Sequence, residues 1–116
     1  MRYLMLIYGD EAVSNTMSEA EQAANMDAWM SYTEDFQKTG KMLGGEALMP
    51  KATATAVRTK AGGGTITTDG PFVETKETLG GYYMIDVPDL DAALSWAARC
   101  PGANHGTIEV RPIWTM

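Results

Sequence analysis

The sequence predicts an α+β fold: an antiparallel sheet of the βαββαβ kind, with two helices on one face and a hairpin inserted midway, which pairs with a second copy of itself. Three observations predict it. Segments alternate as strand, helix, strand, hairpin, strand, helix, strand, giving two halves of similar design. Runs such as Tyr3–Tyr8 and Tyr82–Val87 carry apolar groups on both faces. Two helices cover only one face of such a sheet, so a twin molecule is expected to shield the other, as closed two-fold homodimers commonly do.

The elements follow in order. Arg2–Tyr8 is short, almost wholly apolar and stopped by Gly9-Asp10, as a central strand requires. Ser18 stands three residues before Glu21, the spacing of a capping box, so a helix is expected to begin there and to end at Gly40. Along it Met26, Trp29, Met30, Thr33 and Phe36 recur at steps of three and four and define the predicted buried stripe. Met42–Leu48 and Ala52–Thr59 are expected strands, separated at Pro50. Gly62-Gly63-Gly64 supplies a turn, and β-branched Thr65–Thr68 returns as the hairpin partner, leading into Asp69-Gly70-Pro71-Phe72. Tyr82–Val87 is a further strand. Pro88-Asp89 opens a second helix with Leu90, Ala93, Leu94 and Ala97 on one face, stopped at Pro101-Gly102. In the last strand, Thr107–Ile113, Ile108 and Val110 face one way and Glu109 and Arg111 the other. This order is ferredoxin-like.

Composition narrows the function classes. At 116 residues and 45% hydrophobic content one domain, residues 1–116, is expected. A single Cys100 cannot form an intrachain disulfide, and no leader-like series opens the chain, so a reducing, cytoplasmic setting is expected. No apolar run approaches the roughly 20 residues of a membrane helix. A net charge of −6 without any Lys/Arg cluster argues against direct nucleic-acid binding. Nine Met residues suit either core filling or an adaptable pocket, and Tyr8, Trp29, Tyr82, Tyr83 and Trp96 suit core packing or, alternatively, an aromatic pocket.

Candidate chemistry gathers near Asp69. Its carboxylate is placed to bind a ligand or accept a proton, and it equally suits fixing the turn that Gly70 and Pro71 continue. Glu74, Lys76 and Glu77 form a charged run beside it, where a Lys between carboxylates orients an anionic or carbonyl-bearing substrate or is simply solvated. Glu109 and Arg111 are same-face neighbours able to join Glu46 or Asp69 in a charge network, with Arg111 an alternative anion clamp. His105, the only histidine, is the natural candidate for acid–base work with Asp69. One His without a second His or Cys nearby makes a poor metal site, so neither metal nor cofactor is expected.

Asp69-Gly70-Pro71-Phe72, Glu74-Thr75-Lys76-Glu77, Gly80-Gly81 and Glu109-Val110-Arg111-Pro112 together resemble the YCII-related, or DGPF-domain, proteins, and Arg2–Gly9 and Gly44–Leu48 match as well. The resemblance implies a dimeric α/β barrel with a cleft between sheet and helices in each protomer. For some members it implies an enzyme using a His and an Asp in that cleft; for others, association with alternative sigma factors. This chain differs from the enzyme-like members in having no His within Glu19–Thr39. The leading expectation is therefore a small-molecule-binding or enzyme-like homodimer with a charged cleft around the Asp-Gly-Pro-Phe loop. Its alternative is a non-catalytic regulatory module that binds a sigma factor or another protein.

Overall fold

The computed structural model of the protein describes residues 1–115. Strand β1 (Arg2–Gly9) is followed by a short helix α1 (Glu11–Asn15), helix α2 (Glu19–Lys38) and strand β2 (Met42–Ala47). A 3-10 turn (Lys51–Thr53) leads into β3 (Thr55–Thr59) and β4 (Thr65–Asp69). Then come β5 (Thr78–Asp86), helix α3 (Leu90–Arg99), a second 3-10 turn (Pro101–Asn104) and β6 (Thr107–Pro112). The sheet order is β2-β5-β1-β6 with every neighbouring pair antiparallel, while β3 and β4 pair only with each other. This is the ferredoxin-like order with a hairpin insertion.

Pleating sorts the side chains. Tyr3, Met5, Tyr83 and Ile85 are buried beneath α2 and α3, where Phe36 at 0% exposure packs with Tyr32, Ala93 and Ala97. Aromatic contacts organise this core: the Phe36 and Trp96 rings stack 4.0 Å apart at 7°, and Tyr32 meets Phe36, Tyr83 and Trp96 edge-on. The Tyr32 hydroxyl donates to the carbonyl of Trp96 at 2.8 Å, so its polar end is satisfied inside the core. Alternate residues Leu4, Leu6, Tyr82 and Met84 turn to the opposite face and stay only half-buried.

Both helix starts obey their capping signals. The Ser18 hydroxyl accepts from the Glu21 amide at 3.2 Å while Glu21 accepts from the Ser18 amide at 3.1 Å, and Asp89 caps α3 through the Ala92 amide. The predicted stripe on α2 is corrected in part. Trp29, Thr33 and Phe36 do face inward, but Tyr32 joins them, and Met26 and Met30 are 61% and 63% exposed. Met26 borders open space between α2 and the sheet, and Met30, the residue after inward-facing Trp29, points about 100° round the helix from it, so no apolar surface covers either. On α3 the buried line is Ala93 and Ala97, flanked by Ala92 and Trp96, and Leu90 and Leu94 lie outside it.

Three boundaries differ from expectation. α1 was not foreseen: Asp10 caps it by accepting from the Ala12 amide at 3.0 Å, and the poor helix formers Ser14 and Asn15 end it within about a turn. The expected strand Ala52–Thr59 begins only at Thr55, because Pro50 opens a 3-10 turn that the Thr53 hydroxyl closes onto the Pro50 carbonyl at 2.7 Å. β5 starts at Thr78 and so includes Gly80-Gly81, with a bulge opposite Ile7 and Tyr8.

Candidate functional site

A cavity of about 580 Å³ opens between the sheet and α2, at the end of the sheet where β1 and β2 finish and β5 and β6 begin. The order of elements produces it. β1 ends at Gly9 and the chain turns over the sheet edge as α1, so Asp10, Glu11 and Met17 close one side. α2 forms the roof with Met26, Trp29 and Thr33, and the Tyr83 ring of β5 contributes a wall.

Two glycines make the floor. An added Cβ at Gly45 would stand 2.7 Å from both the Tyr82 carbonyl oxygen and Cδ1 of Tyr83, and one at Gly81 would stand 2.8 Å from the Glu46 carbonyl oxygen. Each contact is closer than real Cβ atoms tolerate, so β2 and β5 reach this packing only by omitting side chains there. The result is bare backbone facing a ring-rich roof: Trp29 and Tyr83 lie roughly parallel, with centroids 6.4 Å apart. Gly102 bounds the far side, where an added Cβ would meet Trp29 and Ile7 at 3.1 and 3.2 Å.

Polar groups are few and placed at the margins. The Thr33 and Tyr83 hydroxyls share a hydrogen bond of 2.6 Å inside the cavity. Burial raises the Tyr83 phenol above its ordinary value, and the Thr33 bond opposes the shift in part, so the group stays protonated across the neutral range. His105 and Glu46 stand at the rim, both exposed, with the half-buried carboxylates of Asp10 and Glu11 on the α1 side. Glu11 also accepts from the Lys51 amide at 2.7 Å, which ties α1 to the segment that leaves β2.

The residues singled out from sequence thus separate. His105 and Glu46 line the cavity, and Asp69, Glu74, Lys76, Glu77 and Arg111 do not. Asp69 ends β4 opposite Thr55, and the next amide, Gly70, donates to the Ala54 carbonyl at 2.7 Å, so its surroundings are those of a turn. Glu77 is half-buried and accepts from the Thr107 hydroxyl at 2.8 Å, joining the loop to β6. Arg111 lies 4.0 Å from Glu109, both well exposed, a pairing worth little in water. Glu109 and Glu46 share the open face with β5 and β1 between them, so one continuous charge network does not form. Among the described residues no group of three His, Cys, Asp or Glu could hold a metal ion, and no helix is long and apolar enough to cross a membrane.

Sequence reasoning missed Thr33, Gly45 and Gly81 as site residues, and it weighed Trp29 and Tyr83 as pocket aromatics but favoured core packing for them. The legible signal was the pair of double glycines, Gly44-Gly45 and Gly80-Gly81, set in otherwise apolar strands where glycine weakens pairing unless something needs the space.

Comparisons with known proteins agree on the fold. The family model of the YCII-related domain matches residues 1–116. An uncharacterised protein of Rhizobium meliloti (strain 1021) is 40% identical over 115 residues, spanning 97% of this chain and 92% of that one. Among solved structures, 5-chloro-2-hydroxyhydroquinone dehydrochlorinase from Burkholderia phenoliruptrix AC1100, in complex with 2,5-dihydroxybenzoquinone, aligns with a TM-score of 0.58. That alignment covers 99% of this chain and 94% of that one at 14% identity, a likeness of fold.

Proposed function

The chain belongs to the YCII-related family, and we propose that it is a small-molecule-binding, enzyme-like homodimer whose ligand is a flat, oxygenated ring held in the cavity between sheet and α2. The observation that carries this reading is the glycine floor beneath an aromatic roof. A slot with glycine in its floor and the rings of Trp29 and Tyr83 beside it suits a ring stacked by its faces and gives little purchase to a bulky aliphatic group. The Thr33–Tyr83 hydroxyl pair offers a donor to a ring oxygen at the inner end, and His105 a proton acceptor at the rim. That a family-fold relative is an enzyme crystallised with a dihydroxybenzoquinone supports the same ligand class.

In this reading Asp69, expected from sequence to act with His105, serves the hairpin turn, and the half-buried carboxylates that line the cavity with His105 are those of Asp10 and Glu11. The homodimer is supported by the open sheet face, where Leu4, Leu6, Tyr82 and Met84 form a central apolar band that water meets unless a second sheet covers it.

Thermal unfolding with hydroxylated benzoquinones and phenols tests the ligand. At a hundredfold excess over the dissociation constant, stabilisation is about 2.7 kcal/mol. For a chain of this length that corresponds to a rise of about 11 °C in Tm. The rise is expected to vanish in Trp29→Ala and shrink in His105→Ala, and to persist in Asp69→Ala. No shift with any ring compound, from protein that unfolds cooperatively, would defeat the reading.

A further inference from the structure

The β3–β4 hairpin stands away from the rest of the molecule. The radius of gyration is 16.4 Å, against about 13 Å expected for a compact chain of this length, and the extents are 50 × 44 × 18 Å. Every residue of β4 is exposed, and both strands keep one edge without a neighbour. A two-stranded hairpin on its own is marginally stable in water, so this one needs a surface to lie on.

Its chemistry says what kind of surface. From Thr55 to Asp69 the hairpin carries two basic side chains, Arg58 and Lys60, against one acid, Asp69 at its end; the other residues hold seven basic and fourteen acidic side chains. The arm is a cation on a strongly anionic protein. It also presents apolar groups: Val57 is 61% and Phe72 69% exposed, and the Arg58 guanidinium lies 4.9 Å above the Phe72 ring.

A matching surface exists on α2. A shallow groove is lined by Trp29, Met30, Thr33, Glu34 and Gln37, with the 63%-exposed Met30 as an apolar wall and Glu34, whose carboxylate lies 3.4 Å from exposed Lys38, as an anion; Asp27 adds a second carboxylate on the same helix. We propose that the β3–β4 hairpin is an intermolecular arm that lies along α2 of a second copy of this chain, Phe72 and Val57 against Met30 and Arg58 against Glu34. An aromatic–cation pair meets an apolar wall beside a carboxylate, the complementarity that sets register between partners. Because the roof of the cavity is the same helix, the arm of one protomer buttresses the site of the other. The contact does not rest on the ligand reading, since none of the residues of β3 or β4 lines the cavity.

The test is a charge exchange on the full chain, read by sedimentation. Arg58→Glu and Glu34→Lys are each expected to raise the dissociation constant for self-association about tenfold, and the double variant to restore it. In mixed isotope-labelled and unlabelled protein, a carbodiimide that joins amines directly to carboxylates is expected to link Lys60 to Asp27 or Glu34 of the other copy. Cooperative unfolding of each variant establishes that it is folded. Association unmoved by either single variant, a double variant no better than the singles, or Lys60 links confined to its own chain would each overturn the proposal. So would a monomer at every concentration, or a DNA duplex bound through Arg58 and Lys60 in place of a second copy.

Discussion

Gly44 and Gly45 are neighbours on β2, yet the structure assigns opposite signs to the same substitution at the two positions. Neither takes a positive φ, so alanine meets no backbone strain at either. At Gly44 an added Cβ has nothing within 4 Å. Restricting the unfolded chain there should stabilise by about 0.5 kcal/mol, within the usual range for such changes. At Gly45 the same atom would stand 2.7 Å from the Tyr82 carbonyl oxygen, which the sheet holds in place, and 2.7 Å from Tyr83, which the Thr33 hydroxyl holds. Overpacking of this kind costs about 1–3 kcal/mol, so after the unfolded-state gain a net loss of about 1–2 kcal/mol is expected. Scanning calorimetry of the two variants should show Tm rising about 2 °C for Gly44→Ala and falling about 4–8 °C for Gly45→Ala. Gly45→Ala should also weaken ligand binding, because the new methyl group occupies the floor of the slot. A Gly45→Ala protein as stable as Gly44→Ala would refute the reasoning that β2 and β5 omit side chains there out of necessity.

Other expectations follow from the core and its titratable groups. Phe36→Ala removes a fully buried ring stacked on Trp96 and should cost about 3–5 kcal/mol, measured by urea denaturation. Burial raises the phenol of Tyr32, the phenol of Tyr83 and the thiol of Cys100 above their ordinary values of 10.0, 10.0 and 9.0. A folded-state value above the unfolded one leaves the native protein holding more protons, so stability is full below pH 9 and falls as pH rises through 9 and 10. The urea midpoint should therefore hold from neutral pH to just below pH 9 and drop between pH 9 and pH 11; an unchanged midpoint would contradict the buried positions of these groups. Cys100, 1% exposed and with a raised thiol, should react with a disulfide reagent only at the rate of unfolding.

The fold was legible because its signals are local and repeated. The Ser18–Glu21 capping box, the apolar runs of β1 and β5 and the glycine turn of the hairpin each depend on a few adjacent residues, and each appears where the sequence placed it. The errors arise where burial depends on what lies across a gap. Met26 and Met30 were grouped with Trp29 and Phe36 by steps of three and four, yet Met26 borders the cavity and Met30 the outer groove beside Glu34, and neither meets the sheet. Tyr32 and Thr33 both stand three or four residues from Trp29 and Phe36, so spacing alone does not choose between them; the Trp96 carbonyl, 64 residues further on, is what allows the Tyr32 hydroxyl inside.

The site was harder to read for a related reason. Sequence reasoning weighs charged side chains, and the densest charge lies at residues 69–77, whereas the cavity here is defined mainly by what is missing. Gly45 and Gly81 act through the absence of a Cβ, and their effect depends on a cross-strand register that pairs Gly45 with Tyr83 and Gly81 with Ala47. The charged loop does contribute, but at one remove: it carries the chain from the hairpin back to Thr78, and Glu77 fastens it to Thr107 beside the rim. In the proposed reading the motif run holds the mouth of the cavity in shape, and ligand contact is assigned to aromatic faces, two hydroxyls and His105. If that division is right, charge-removing changes at Glu74 or Lys76 should leave ligand affinity within about twofold, the small effect usual for exposed charges, whereas Thr33→Val, which deletes one atom of the inner hydroxyl pair, should weaken it by about tenfold.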